Sequence, residues 1–410
     1  MSTTFDFNEL ALKLQPHYSR FDVANRLLFS GHSHQAWPDV ARDGQTEAFD
    51  KAATLVDDKW SHAFEKAGKL RGYLRQFYDD PNGRYCLAEN THHLLIKWLS
   101  ALDLPQTQRL VVTDLEFYTI FRQTRRLQEE GIEITEVPAL PLEGFADRIE
   151  QALDRPATAV MISRIYFENA LINPEIKQVA EVCQRKNTPL LIDDYHGTNV
   201  IPLSIRENNL ENIYLLIGGY KYMQWGEGNC FLRFPENCPL RPVITGWFAS
   251  FSTLQQPRQS YSVEYEGDQK FGGATYDSTS QYRAARVVDF FHEQGLSPEV
   301  LHAQYRAQIR EMYERFTELG FEESVIRMNH DYPIDYNAGF LSLYSPHTPE
   351  LYKKLKAKGV FCDYRGYILR LGPAPYISRD QIDELFSILK KAIQEILAST
   401  GKSRSQFEKP

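Results

Sequence analysis

The chain has 410 residues, 42% of them apolar and 24% charged, an ordinary globular composition that excludes a disordered protein and is long enough for two domains. Against 54 acidic residues stand 46 basic ones, and the net charge of −8 argues against nucleic acid or an anionic membrane surface as the main partner. No apolar run approaches the roughly 20 residues of a spanning helix. The start, MSTTFDFNEL, lacks a basic segment followed by an apolar stretch, and the five cysteines are scattered without a CxxC pair. A reducing cytoplasm is therefore expected, with neither a disulfide framework nor a structural zinc.

Residues 1–28 read as a short polar helix leading to the apolar trio Leu27-Leu28-Phe29, which Ser30-Gly31-His32-Ser33-His34 and Pro38 stop. Helical patterning runs from about Val40 to Tyr78, until Pro81-Asn82-Gly83 breaks it. Beyond that point short apolar runs alternate with helical stretches, the mark of βα units and a mostly parallel sheet. Strands are expected at Tyr85–Ala88, Leu110–Thr113, Ala159–Ile165, Pro189–Ile192 and Ile213–Ile217, with Asn229–Phe234 as an antiparallel return. Between the third and fourth lies a helix started by Pro174, with Ile176, Val179, Ala180 and Cys183 on one face.

Residues 240–283 are irregular and rich in aromatics, Gly and Ser. Helices are expected at Arg283–Gln294 and Pro298–Leu319. Strands follow at Gly339–Leu343, Val360–Phe361 and Tyr367–Leu371, and a last helix at Arg379–Leu397. The expected fold class is α/β, in four parts: an N-terminal arm (1–45) packing with the small domain, a large domain (46–280), a small C-terminal α/β domain (281–400) and a frayed tail (401–410).

Ligands of an open parallel sheet sit beyond the carboxyl ends of its strands. Those ends carry Glu89-Asn90-Thr91 opening a helix, then Asp114-Leu115-Glu116-Phe117-Tyr118, then Asp193-Asp194-Tyr195-His196, then Gly218-Gly219-Tyr220-Lys221-Tyr222. A helix N-terminus suits a phosphate. A lysine desolvated beside a buried strand becomes a nucleophile towards carbonyls. A carboxylate can hold a pyridine nitrogen protonated, and an aromatic ring can stack on it. Singly, each has a bland reading: Lys221 as a loop lysine, Asp193 as a helix cap, Phe117 as a core ring. Jointly they make the set that pyridoxal phosphate needs.

At these motifs the chain resembles the fold-type I pyridoxal-phosphate enzymes of aminotransferase class V, and among them the kynureninase branch. Leu191-Ile192-Asp193-Asp194-Tyr195-His196 is similar to the family strand ending in D-x-x-H, which implies Asp193 as the pyridine partner and His196 as a further cofactor contact. Gly219-Tyr220-Lys221-Tyr222-Met223-Gln224-Trp225-Gly226-Glu227-Gly228 resembles the run Y-K-Y-L-N-x-G-P-G, implying Lys221 as the Schiff-base lysine and Tyr220 as a phosphate contact. Phe117 stands where the family places the ring-stacking residue, while Asn90 and Thr91, at the helix N-terminus after the first strand, are expected to hold the phosphate.

Gly246-Trp247-Phe248 resembles the G-W-[FW] segment whose Trp reaches the phosphate across a homodimer. Leu369-Arg370-Leu371-Gly372-Pro373-Ala374-Pro375 resembles the stretch whose Arg, here Arg370, clamps the substrate α-carboxylate. Phe29-Ser30-Gly31-His32-Ser33-His34 aligns with a segment near the substrate, implying substrate-facing roles for His32 and His34, which replace the Asn and Leu of that pattern. Gly272-Gly273-Ala274-Thr275 departs from the kynureninase S-N-P and looks like the G-T element whose Thr contacts the partner subunit's phosphate. The resemblance thus implies a homodimeric enzyme acting on an α-amino acid. Kynureninase-like cleavage at the side-chain β-carbon is the first expectation, and a C–S β-lyase or an aminotransferase the alternative. His32-Ser33-His34 has no Asp, Glu or Cys partner at a ligand spacing, so no metal is expected. No G-x-S-x-G elbow supports a serine hydrolase.

Overall fold

A computed structural model of the chain describes residues 5–255 and 262–407. The strands are β1 (Leu27–Leu28), β2 (Arg84–Ala88), β3 (Arg109–Thr113), β4 (Glu133–Val137), β5 (Ala159–Ser163), β6 (Leu190–Asp193), β7 (Tyr214–Gly218), β8 (Cys230–Phe234), β9 (Arg327–Met328), β10 (Leu341–Tyr344), β11 (Val360–Phe361), β12 (Asp363–Arg365) and β13 (Ile368–Leu371). They divide between two compact units, one of residues 40–167 and 172–295, the other of 1–39, 168–171 and 296–410.

The first unit is built on a seven-stranded sheet in the order β2-β8-β7-β6-β5-β3-β4. Neighbours from β7 through β4 run parallel, and β8 is antiparallel to both β7 and β2, as the sequence pattern expects. Every residue of β3, β5, β7 and β8 is buried, which is why these strands read as mostly apolar runs; the buried Arg233 within β8 is paired with Asp80. The helix Thr91–Ser100 lays Leu94, Leu95, Trp98 and Leu99 into the same core as Leu110, Val112, Met161, Leu191, Leu216 and Leu232. The helix Ile176–Arg185 buries Ile176, Val179, Ala180 and Cys183, the face its spacing predicts.

Three details differ from the sequence reading. β4 was not expected, because it is an edge strand whose residues Glu133 to Glu136 are only partly buried or exposed, so its composition carries no apolar run. The helical stretch 40–78 is two helices, Val40–Leu55 and Lys59–Phe77, broken at Val56, whose φ of 51° lies in the left-handed region. The helix Thr279–Gln294 packs on both of them within this unit and ends at Gly295 in the left-handed conformation that closes helices.

The second unit has a four-stranded antiparallel sheet, β12-β13-β10-β9, and a parallel pair of β1 with β11. The helix Pro298–Thr317 starts with Pro298 at its first position and Ser297 as cap, whose Oγ accepts the Val300 N–H at 3.3 Å. The final helix runs from Arg379 to Phe407, past the expected end at Leu397 and through most of the segment expected to fray; residues 408–410 lie outside the described residues. Among the described residues no helix is long and apolar enough to cross a membrane.

Candidate active site

The carboxyl ends of β2, β5, β6 and β7 open into one cavity of about 310 Å³. It is lined by Asn90 and Thr91 at one end, by Phe117 and Phe167, and by Ser163, Asp193, His196, Tyr220 and Lys221. Seven residues singled out from sequence therefore meet in one place: Asn90, Thr91, Phe117, Asp193, His196, Tyr220 and Lys221. Its volume is that of a small-molecule site.

Asn90 caps the helix Thr91–Ser100, its Oδ1 accepting the His93 N–H at 2.9 Å. The first amides of that helix, with the positive end of its dipole, face an incoming anion. Lys221 is buried, with Nζ 2.7 Å from His196 Nε2, 4.8 Å from the centre of the Tyr195 ring and 5.7 Å from that of Phe117. The two glycines before it are needed for this packing. A Cβ on Gly218 would overlap the Tyr195 ring, and one on Gly219 would stand 2.6 Å from the Asn229 carbonyl oxygen.

Consecutive side chains at a strand end point to opposite sides, and this separates Asp193 from Asp194. Asp194 is fully buried away from the cavity. Arg164 donates Nε to its Oδ1 at 2.5 Å and Nη2 to its Oδ2 at 3.0 Å, and the Tyr78 hydroxyl donates to Oδ2 at 2.7 Å. Asp193 lines the cavity and accepts the Tyr195 N–H at 2.9 Å. Burial pushes the Asp193 carboxyl up from its ordinary value, against the Tyr195 amide and the Lys221 charge. A cationic ring N–H is the partner that would return it to the ionised form.

Two further residues were missed from sequence. Ser163 pairs in register with Asp193 on the neighbouring strand, so the strand-end reading could have found it two residues before the expected end of β5 at Ile165. Glu116 is buried behind it, with Ser163 donating its N–H (3.0 Å) and its hydroxyl (2.7 Å), and Thr113 donating a third bond at 2.5 Å. Burial pushes the Glu116 carboxyl up to about 8, with the Asp193 charge adding to the rise and the Thr113 and Ser163 bonds opposing it.

The remaining sequence candidates lie elsewhere. Thr275 is exposed and lines a second cavity with Lys97, Ile96 and Phe248. Trp247 is exposed beside Phe248, their ring centres 4.3 Å apart, on a segment joined to the Gly273 carbonyl through the Phe248 N–H. Trp247 and Thr275 are thus neighbours through their segments but do not line the Lys221 cavity. In the other unit, Arg370 and His32 are buried and share the carboxylate of Asp363, and His34 is exposed.

The cavity fits pyridoxal phosphate. It offers a buried lysine, a buried carboxylate that burial pushes towards its neutral form, an aromatic face and a capped helix N-terminus, within a volume suited to one small ligand.

No protein-family profile matches the chain. It is 21% identical over 349 residues to the uncharacterized aminotransferase YcbU of Bacillus subtilis, spanning 83% of this chain and 86% of that one. It is 26% identical over 162 residues to a mitochondrial cysteine desulfurase of Candida albicans, a match that spans 39% of this chain and 32% of the desulfurase. Among solved structures, the cystine C–S lyase C-DES in complex with its product cysteine persulfide superposes with a TM-score of 0.73 at 17% identity, covering 90% of this chain and 98% of that one. A C-DES variant with glycine covalently linked to its PLP cofactor gives 0.77 at 16%, covering 92% and 98%. The cysteine desulfurase CsdA of Escherichia coli gives 0.74 at 10%, covering 94% and 98%. The chain therefore has the fold of the pyridoxal-phosphate enzymes of the class V aminotransferase and cysteine desulfurase type.

Proposed function

We propose that the chain is a pyridoxal-phosphate-dependent β-lyase that cleaves the C–S bond of an α-amino acid and releases the sulfur to solution, not to a cysteine of its own. The observation that carries this choice is the state of the thiols. All five cysteines are free and buried, and burial pushes Cys86 and Cys230 up to about 11 and Cys183 and Cys362 up to about 12. A persulfide acceptor has to present a thiolate. Cys230 lines the cavity, but it is held as a thiol beside the Tyr195 hydroxyl at 3.7 Å.

Lys221 anchors the cofactor and serves as the base for the Cα proton, with His196 as its hydrogen-bond partner. When bound, the cofactor supplies an electron sink for the carbanion at Cα. Asp193 keeps the ring nitrogen protonated, Phe117 stacks on the ring, and Asn90, Thr91 and Tyr220 hold the phosphate. Trp247 and Thr275 complete a partner subunit's phosphate site in a homodimer. Arg370 takes the substrate α-carboxylate, with His32 and His34 on the substrate side of the chain. Loss of the Cα proton and of the thiolate gives, after hydrolysis, a 2-oxo acid, ammonia and a thiol. A cytoplasmic setting suits five unpaired thiols.

Cysteine desulfurases, a C–S lyase and an aminotransferase among the similar proteins favour this reading over kynureninase-type hydrolysis. Transamination is the second reading, favoured by the match to YcbU along most of both chains. Product analysis over an amino-acid panel decides. A 2-oxo acid with ammonia and a thiol or persulfide supports the lyase, amino transfer to an added 2-oxo acid supports the transaminase, and alanine with an aromatic acid from kynurenine would overturn both.

A further inference from the structure

Glu116 follows Thr113, the last residue of β3, and reaches Ser163, the last residue of β5. The partners of its buried carboxyl are two hydroxyls and an amide, none of them a cation. The Ser163 N–H donates to Oε1 at 3.0 Å, the Thr113 hydroxyl lies 2.5 Å from the same oxygen, and Ser163 Oγ lies 2.7 Å from Oε2. The titratable groups that face it are Asp193, in register with Ser163 on β6, and Tyr166 after β5, whose phenol the Glu116 charge helps to push up. A buried carboxyl beside a second acid, with no counter-ion among its partners, is favoured as the neutral acid.

A neutral carboxyl carries one hydrogen, and the surroundings decide which oxygen holds it. Thr113 is 2% exposed, and among the described residues its hydroxyl has no other partner. A hydrogen on Oε1 aimed at Thr113 would strand the Thr113 hydrogen in the core. Ser163 is placed differently, because it lines the Lys221 cavity. With the hydrogen on Oε2, Ser163 Oγ accepts it across the same 2.7 Å, and the Ser163 hydrogen is released to the cavity. Oε1 then accepts both the Ser163 N–H and the Thr113 hydroxyl, so every donor around the carboxyl is satisfied. An ionised Glu116 reverses the arrangement, taking the Ser163 hydrogen and leaving that hydroxyl only lone pairs for a ligand.

We propose that Glu116 is a positioning residue that donates from Oε2 to Ser163 Oγ and so makes the Ser163 hydroxyl a hydrogen-bond donor to an acceptor oxygen of the cofactor. Glu116 acts through Ser163 and does not itself line the cavity. This rests on the reading of the Lys221 cavity as a pyridoxal-phosphate site.

The test has two readouts on the full chain. Infrared difference spectra of the cofactor-loaded wild type against Glu116→Gln at pH 7 should show the C=O stretch of a protonated carboxyl, shifted in D2O and carried by the wild type alone. Absence of that band would make Glu116 an anion and overturn the proposal. The second readout is the affinity of the apoprotein for pyridoxal phosphate at pH 7 and pH 9.5, on either side of the value of about 8 to which burial pushes Glu116. Gln reproduces the neutral acid, with an N–H for Ser163 Oγ and a carbonyl for the other two donors. Wild type and Glu116→Gln should therefore bind alike at pH 7, and the wild type should fall about tenfold behind at pH 9.5. Ser163→Ala should bind about tenfold more weakly than wild type at pH 7 and equally at pH 9.5, and it serves where Glu116→Gln does not fold. Wild-type-to-variant ratios that do not change with pH would mean a merely structural role and overturn the proposal. A wild type that binds no pyridoxal phosphate at either pH overturns the cofactor reading itself, and the role of Ser163 with it, whether or not the infrared band is present.

Discussion

Asp193 and Asp194 are adjacent in sequence, and the account gives them opposite duties. Replacing each with Asn separates the two. Asp194 has no exposed surface, and its partner Arg164 has 4%. Removing one partner of such a buried pair leaves the guanidinium without a counter-charge and costs about 3–5 kcal/mol. Asp194→Asn should therefore lower the urea midpoint of the apoprotein strongly, yet a folded holo form should keep the cofactor's visible band. Asp193→Asn should do the reverse. Its Oδ1 still accepts the Tyr195 N–H, and the lost charge is one that burial already disfavours, so stability should change by less than about 1 kcal/mol. Cofactor affinity should drop about 10–100-fold, the worth of one charge-assisted hydrogen bond. Urea unfolding followed by tryptophan fluorescence, beside a cofactor titration of each variant, reads both quantities. Loss of cofactor with intact stability in Asp194→Asn, and the opposite in Asp193→Asn, would refute the reasoning.

Other consequences are as direct. Glu116 holds its proton up to about 8 in the folded chain, against 4.5 for the ordinary group. The folded state then binds more protons than the unfolded one between those values, so stability should fall as pH rises through that window, by at most about 5 kcal/mol. Glu116→Gln should flatten this dependence in urea midpoints taken at pH 5 and pH 8.5; an unchanged slope would show that Glu116 is ionised throughout. A thiol-alkylating reagent applied to the native enzyme should leave C–S cleavage intact, and Cys362→Ser should keep at least about half of the activity, since burial keeps these thiols inert. Loss of turnover with one alkylated cysteine would restore a persulfide route. Gly219→Ala should cost about 1–3 kcal/mol and lower the cofactor stoichiometry, because the added Cβ meets the Asn229 carbonyl oxygen and the Trp225 ring, at 2.6 and 3.1 Å; full occupancy would show that the strand end carrying Lys221 yields freely.

The sheet was legible where its strands are buried on both faces, because Leu110–Val112, Ala159–Ile162 and Tyr214–Ile217 form near-continuous apolar runs. β4 was not, since Glu133–Val137 sits at the edge and carries alternating polar residues. The residues that line the Lys221 cavity were legible as a group because they stand at the carboxyl ends of four strands, where topology alone brings them together. Glu116 stayed hidden because an acid one residue before an aromatic carries no signal of burial; only the approach of β5, with Ser163 against it, desolvates it. The link between His32 and Asp363 spans 331 positions and depends on the packing of the Gly31 and Gly372 backbones. The pairing of Asp363 with Arg370 was closer to hand, through the short turn at Gly366 and Tyr367 between β12 and β13.

The central claim is that Lys221 carries pyridoxal phosphate covalently. The most direct measurement is borohydride reduction of the purified protein followed by peptide mass spectrometry, with the visible spectrum taken before and after. The account predicts a yellow band that borohydride bleaches, a reduced pyridoxyl phosphate adduct on the peptide containing Lys221, and neither in Lys221→Ala. A protein that stays colourless with added pyridoxal phosphate, or an adduct on a different lysine, would contradict it.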